Sequence, residues 1–226
     1  MCPAAAFRPA GHFWFTIPGR MACGCQGYNA KEMDIVRVSW AQLYDQIEGC
    51  ERCRLSECRS RVVPGEGNPA ARLMFIGEGP GQEEDRQGRP FVGRSGELLT
   101  RMIHAIGLER SEVYICNIVK CRPPQNRNPE PEEAAACLGY LRAQFALVRP
   151  QVVVLLGRVA CQYTLKEQVF ISRDHGRWFE QKGVWFMPTF HPSALLRDPA
   201  KKRDAWEDFQ KIRDKLRELD VPGGEV

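Results

Sequence analysis

Two sets of residues in this 226-residue chain could do chemistry. The first is sulfur. Cys50 and Cys53 form a CxxC pair, and Cys121 and Cys137 bracket the polar stretch RPPQNRNPEPEE. Four thiolates can bind zinc tetrahedrally or carry a [4Fe–4S] cluster. Spacing serves both metals equally, because a zinc ribbon shows two close CxxC pairs and this chain has one. Such a polar stretch buries little, so a cross-link at both ends meets a physical need. Cys116 and Cys161 read as small buried hydrophobes, and Cys58 as a spare thiol.

The second set centres on Gly77–Asp85, GEGPGQEED, which follows the apolar run Leu73-Met-Phe-Ile76. Three glycines and a proline leave the backbone bare, so a ligand can approach it closely. No Gly-Lys-Ser/Thr closes the loop, and acidic residues follow it, which argues against a phosphate cradle. The loop suits a small flat group held against amides with a carboxylate in reach. Asn117 and His191 each follow another apolar run. Taken singly, Asn117 is an ordinary strand-end turn residue and His191-Pro192 an ordinary turn.

The elements that must position these groups alternate. Strands are expected at 72–76, 113–117, 152–156 and 184–190. Helices are expected at 35–47, 95–106 with Ser95 as cap, 134–147, 158–165 and 201–219. Strands alternating with helices predict an α/β fold with a parallel sheet covered on both faces. Ligands then sit beyond the carboxyl ends of the strands, where Glu78, Asn117, Gly157 and His191 all fall.

Composition narrows the class. A net charge of +4 and a pI near 8.5 tolerate a polyanion without demanding one. No apolar run approaches the ~18 residues of a membrane span. Ten cysteines with no secretory signal argue for reduced thiols and a metal rather than a disulfide scaffold. Residues 1–32 read as a disordered extension, 33–220 as one domain and 221–226 as a frayed tail. Cys2, Cys23 and Cys25 fall in the extension and receive no role.

GEGPGQEED, PFVG at Pro90–Gly93, YICNIVKCRPPQNRNP and HPSALLR at His191–Arg197 occur in this order. Together they resemble the family 4 uracil-DNA glycosylases, the iron–sulfur class of bacteria and archaea, over about Cys50 to Phe209. The resemblance implies a three-layer α/β/α fold with a four-stranded parallel sheet. It also implies a [4Fe–4S] cluster on Cys50, Cys53, Cys121 and Cys137. The implied activity is monofunctional hydrolysis of uracil from single- or double-stranded DNA by a cytoplasmic, nucleoid-associated monomer.

By that resemblance, Phe91 stacks on uracil and Asn117 reads its edge. His191 and the amides of Gly79 and Gly81 receive the charge on O2. The water-positioning aspartate of family 1 enzymes is matched by Gly79, which leaves Glu78 as the nearest substitute. Glu84 is a second carboxylate, expected to line the pocket near uracil C5. HPSALLR is expected as a loop that approaches DNA, with Leu195 as the wedge in the vacated stack, and Arg197, Lys201, Lys202 and Arg127 are expected on phosphates. A sliding clamp or polymerase partner carries no mark in the sequence. The alternative is a non-catalytic DNA-binding or polymerase-associated module of the same fold.

Overall fold

The computed structural model describes residues 38–165 and 167–220; the expected extension (1–32), residues 33–37 of the expected domain and the expected tail (221–226) lie outside these. Eight α-helices and six strands are present among the described residues. The strands are β1 (Glu66–Gly67), β2 (Leu73–Gly77), β3 (Tyr114–Asn117), β4 (Val152–Leu156), β5 (Phe179–Gln181) and β6 (Val184–Thr189). They form one sheet in the order β1-β3-β2-β4-β6-β5. The central four are mutually parallel, as expected, while β1 and β5 add antiparallel edges that the apolar-run pattern did not reveal.

The parallel strands are apolar up to their carboxyl ends because both of their faces are covered. Met74 and Ile76 point to one face, where they pack with Leu43 and Ile47 of α1 (Trp40–Glu48) and Leu138 and Leu141 of α4 (Pro131–Val148). Leu73 and Phe75 point to the other. There they meet Leu99 and Ile103 of α3 (Arg94–Ala105) and Phe209 and Ile212 of α8 (Lys202–Glu218). Phe75 and Phe209 stack with ring centroids 5.9 Å apart. Alternation along the strand thus fills two cores, and the result is the three-layer α/β/α fold.

Three local expectations change. The helix expected to start at Ser95 has Gly93 as its N-cap, with Ser95 inside the first turn. HPSALLR is not a loop: Pro192–Arg197 forms the short helix α7, begun by the proline at its first position. The polar stretch after Cys121 is ordered by a 3₁₀ turn at Pro124–Asn126, with Gln125 and Asn126 both left-handed. The remaining helices are α2 (Gln82–Gln87), α5 (Arg158–Thr164) and α6 (Ile171–Asp174).

Candidate functional site

Parallel register sets the site. Gly77 and Asn117 are partners across β2 and β3, and Leu156 and Thr189 across β4 and β6. Four carboxyl ends therefore open on one crevice. A Cβ on Gly77 would lie 2.4 Å from Asn117 Oδ1 and 2.6 Å from Phe91 Cζ, so only glycine fits between them. Asn117 is buried, and its Oδ1 has no hydrogen-bond partner among the described residues. A buried acceptor left bare is costly, and such a group is a natural place for a ligand donor. Lys120, also fully buried, donates from Nζ to the Asn117 carbonyl at 2.6 Å and pins the strand end.

Phe91 is held in a left-handed backbone conformation (φ 50°) that a bulky residue adopts only under constraint. Two neighbours supply the constraint. Glu84 Oε1 accepts from the Val92 and Gly93 amides, both at 2.9 Å. Gly96 of α3 lets the helix run against the Phe91 backbone, where a Cβ would come within 1.9 Å of its carbonyl oxygen. Glu84, expected as a pocket wall, is thus engaged in shaping the Phe91 loop.

His191 stands beside Phe91, with ring centroids 5.6 Å apart. Its Nδ1 accepts from the Ser193 amide at 3.2 Å, which assigns the ring proton to Nε2. Burial, helped by the charge of Arg197, holds its pKa down to about 4, so the imidazole is neutral at physiological pH. Gly157, at φ 88°, makes room for it: a Cβ there would touch His191 Cβ at 3.0 Å. The result is a neutral N–H donor, rigidly held.

Gly79 packs its Cα against Val119, where a Cβ would come within 2.8 Å of Cγ2. Among the described residues no acceptor takes the Gly79 or Gly81 N–H. Glu78 is half-buried, and burial raises its pKa while Arg158 pulls it back. Asn128, oriented to satisfy both neighbours, donates to Glu78 Oε1 at 3.1 Å and accepts from Arg158 Nη2 at 2.8 Å. Sequence reasoning missed Asn128, Arg158 and Lys120. Asn128 and Arg158 carry no spacing signal because their partners lie far along the chain, and Lys120, whose partner is the nearby Asn117 carbonyl, belongs to no recognisable motif.

Two expected DNA contacts are differently employed. Leu195 is buried with Phe190 and Ala205, because this face of α7 turns inward; the half-exposed Leu196 is the apolar residue on offer there. Arg127 clamps Glu133 through both guanidinium nitrogens, at 2.8 and 2.6 Å, so its charge is already paired. Arg197 is exposed, as is Lys202.

Cys50, Cys53, Cys121 and Cys137 line a single cavity together with Ile47, Arg59, Lys120 and Tyr140. Arg59 Nη1 donates to Cys121 Sγ at 3.2 Å and the Lys120 amide to Cys137 Sγ at 3.3 Å. Burial pushes the Cys137 thiol up to about 12 and raises Cys53 and Cys121 as well. Among the described residues no group of three or more His, Cys, Asp or Glu is gathered tightly around a point that a lone metal ion would occupy. The donor set, four cysteines on one cavity that Arg52, Arg59 and Lys120 also line, fits an anionic cluster bound by thiolates. Cys116 and Cys161 are buried in the core, and Cys58 is exposed outside the cavity.

Comparison with known proteins adds an independent line. The Uracil DNA glycosylase superfamily profile matches residues 64–212. The type-4 uracil-DNA glycosylase of Sulfurisphaera tokodaii is 43% identical over 78% of this chain and 84% of its own. That of Thermotoga maritima is 46% identical over 75% of this chain and 90% of its own. That of Saccharolobus solfataricus is 42% identical over 76% and 84%. Sheet, crevice and similarity agree, and the chain belongs to the uracil DNA glycosylase superfamily, among the type-4 uracil-DNA glycosylases.

Proposed function

We propose that the chain is a uracil-DNA glycosylase of base-excision repair. It takes a uracil nucleotide out of the stack and hydrolyses its N-glycosidic bond, leaving an abasic site and free uracil. The observation that carries this reading is the convergence of the bare Asn117 Oδ1 and the Phe91 ring on Gly77, with the His191 ring beside Phe91.

Each group has a role that its geometry suits. Phe91 is the wall against which the flat base stacks. Asn117 accepts from uracil N3–H through Oδ1 and donates to O4 through Nδ2. Cytosine presents the reverse pattern, and the unpaired groups would cost several kcal/mol. As the bond to C1′ breaks, its electron pair leaves with uracil N1 and negative charge spreads to O2. The Nε2–H of His191 and the amides of Gly79 and Gly81 meet that charge, the histidine contributing on the order of 3 kcal/mol. Glu78 holds the water whose oxygen bonds to C1′, receives its proton and offsets the positive charge of the sugar.

Arg197, Lys201 and Lys202 contact phosphates, which accounts for affinity and its salt sensitivity rather than for base choice. Leu196, in place of the buried Leu195, enters the gap left by the flipped base.

Cys50, Cys53, Cys121 and Cys137 would hold a [4Fe–4S] cluster, which supplies a four-point cross-link here rather than electron transfer. The chain then gains a fixed loop between Cys121 and Cys137, next to Asn117. Arg59 and Lys120 balance the negative charge of the thiolates. The same proposal places the chain in the cytoplasm, acting as a monomer on chromosomal DNA.

The test is incubation of the anaerobically purified protein with an oligonucleotide carrying one dU. The reading requires an alkali-labile abasic site at that position, and an intact strand would refute it.

A further inference from the structure

The polar loop after Cys121 delivers one side chain directly to the crevice. The side-chain amide of Asn128 lies 3.1 Å from Glu78 Oε1 and 2.8 Å from Arg158 Nη2, and its orientation is assigned from these partners: both contacts are hydrogen bonds only with Nδ2 towards the carboxylate and Oδ1 towards the guanidinium. Three segments meet in this chain of bonds: the loop after β2, the loop before α4, and the first residue of α5. We infer that Asn128 is a positioning residue for Glu78, pinning one carboxylate oxygen so that the other alone is aimed at the attacking water.

A carboxylate on a glycine-flanked loop can rotate, and each rotamer would carry the water to a different place. One fixed hydrogen bond to Oε1 removes that freedom. The amide of Asn128 must itself be oriented, since its oxygen facing Glu78 would repel the carboxylate. Arg158 has only donors to offer, so it takes the amide oxygen and turns Nδ2 towards Glu78.

The backbone of Asn128 is anchored as firmly. Arg127 Nη1 donates to the Asn128 carbonyl at 2.9 Å while the same guanidinium grips Glu133. Glu133 is buried and also accepts from Arg54 Nε at 2.9 Å, and Arg54 adjoins Cys53. An unbroken path of bonds therefore leads from the CxxC segment through Arg54, Glu133 and Arg127 to Asn128 and Glu78. This gives the cysteine-bound region a second function, which is to hold the residue that aims Glu78.

The inference rests on Glu78 being the water-holding residue, and a double-mutant cycle separates the two claims. Single-turnover excision is compared for wild type, E78Q, N128A, N128D and E78Q/N128A, at a pH where both carboxylates are ionised. Loss of a hydrogen bond to a charged group predicts a fall of about 10- to 100-fold in the maximal rate for N128A, with half-saturating enzyme concentration unchanged. In the E78Q background the same substitution should cost less than about threefold, because the amide at position 78 still accepts from Asn128 but cannot take the water's proton, so aiming it gains little.

N128D keeps the shape of the side chain and its bond to Arg158 but loses the donor. It should therefore be at least as impaired as N128A. A purely structural role predicts the opposite order, with N128D near wild type. That order, or full additivity of N128A with E78Q, would overturn the inference. Wild-type activity of E78Q would instead overturn the assignment of Glu78 itself.

Discussion

Gly77 and Asn117 face each other across adjacent parallel strands so closely that one added methyl carbon would lie 2.4 Å from the amide oxygen. That oxygen is buried and unpartnered, and the Phe91 ring touches the same glycine. Phe91 and Asn117, the proposed base wall and edge reader, thus share a single point of support.

The first prediction concerns that point. Gly77→Ala must push Asn117 or Phe91 aside, and overpacking of this kind costs about 1–3 kcal/mol of stability. The loss of excision should be far greater, ~100-fold or more in single-turnover rate, because displacement of reacting groups by an ångström is enough. Thermal unfolding and excision rates measured on the same preparation check this. An active G77A protein would contradict the shared support.

His191 gives a pH prediction. Its pKa is lowered from 6.5 to about 4 in the folded protein, so the unfolded chain binds more protons between those values. The stability it contributes is complete above about 6.5 and is lost as pH falls towards about 4. Histidine titration by NMR should find no change in charge at His191 between pH 5 and pH 8. His191→Ala should lower the excision rate ~100-fold by removing the Nε2–H donor. A titration midpoint near 6.5 would contradict the neutral-donor account.

Glu84 shapes the Phe91 loop by accepting from the Val92 and Gly93 amides. Glu84→Ala leaves the Val92 and Gly93 amides without their acceptor, which should cost about 1–3 kcal/mol of stability. Excision should fall with it as the Phe91 loop relaxes. Glu84→Gln retains an amide oxygen able to accept both bonds and should recover most of both losses. Equal impairment of Gln and Ala variants would instead point to a need for the negative charge.

The cysteines separate by position. Replacing Cys137 or Cys121 with Ser should abolish the visible absorption of an iron–sulfur cluster and lower the melting temperature, since both line the shared cavity. Cys58→Ser, exposed and outside that cavity, should leave the spectrum unchanged. Loss of colour in the Cys58 variant would contradict the ligand assignment.

The central strands were legible because burial on both faces turns them into unbroken apolar runs, as in VVVLL at Val152–Leu156. The edges were not, because β1 is two residues, Glu66–Gly67, and β5 is FEQ; neither is long enough to show a period. The strand-end positions of Glu78, Asn117 and His191, the proposed catalytic groups, could be read from motifs. Their supports could not, since Glu84 with Gly93, Arg127 with Glu133 and Asn128 with Glu78 are set by loop conformation. The resemblance makes Leu195 the wedge of an HPSALLR loop. As helix α7, it turns that side chain inward beside Phe190 and exposes its neighbour.

The central claim is that Asn117 reads an extruded uracil in this crevice, and release of free base tests it most directly. Matched oligonucleotides carrying a single dU, dC or dT are incubated with the wild-type protein and with Asn117→Ala, and released bases are quantified. The account predicts uracil from the dU strand with wild type alone, no cytosine or thymine, and a loss of ~100-fold or more in N117A. Equal release of cytosine and uracil, or undiminished uracil release by N117A, would contradict it.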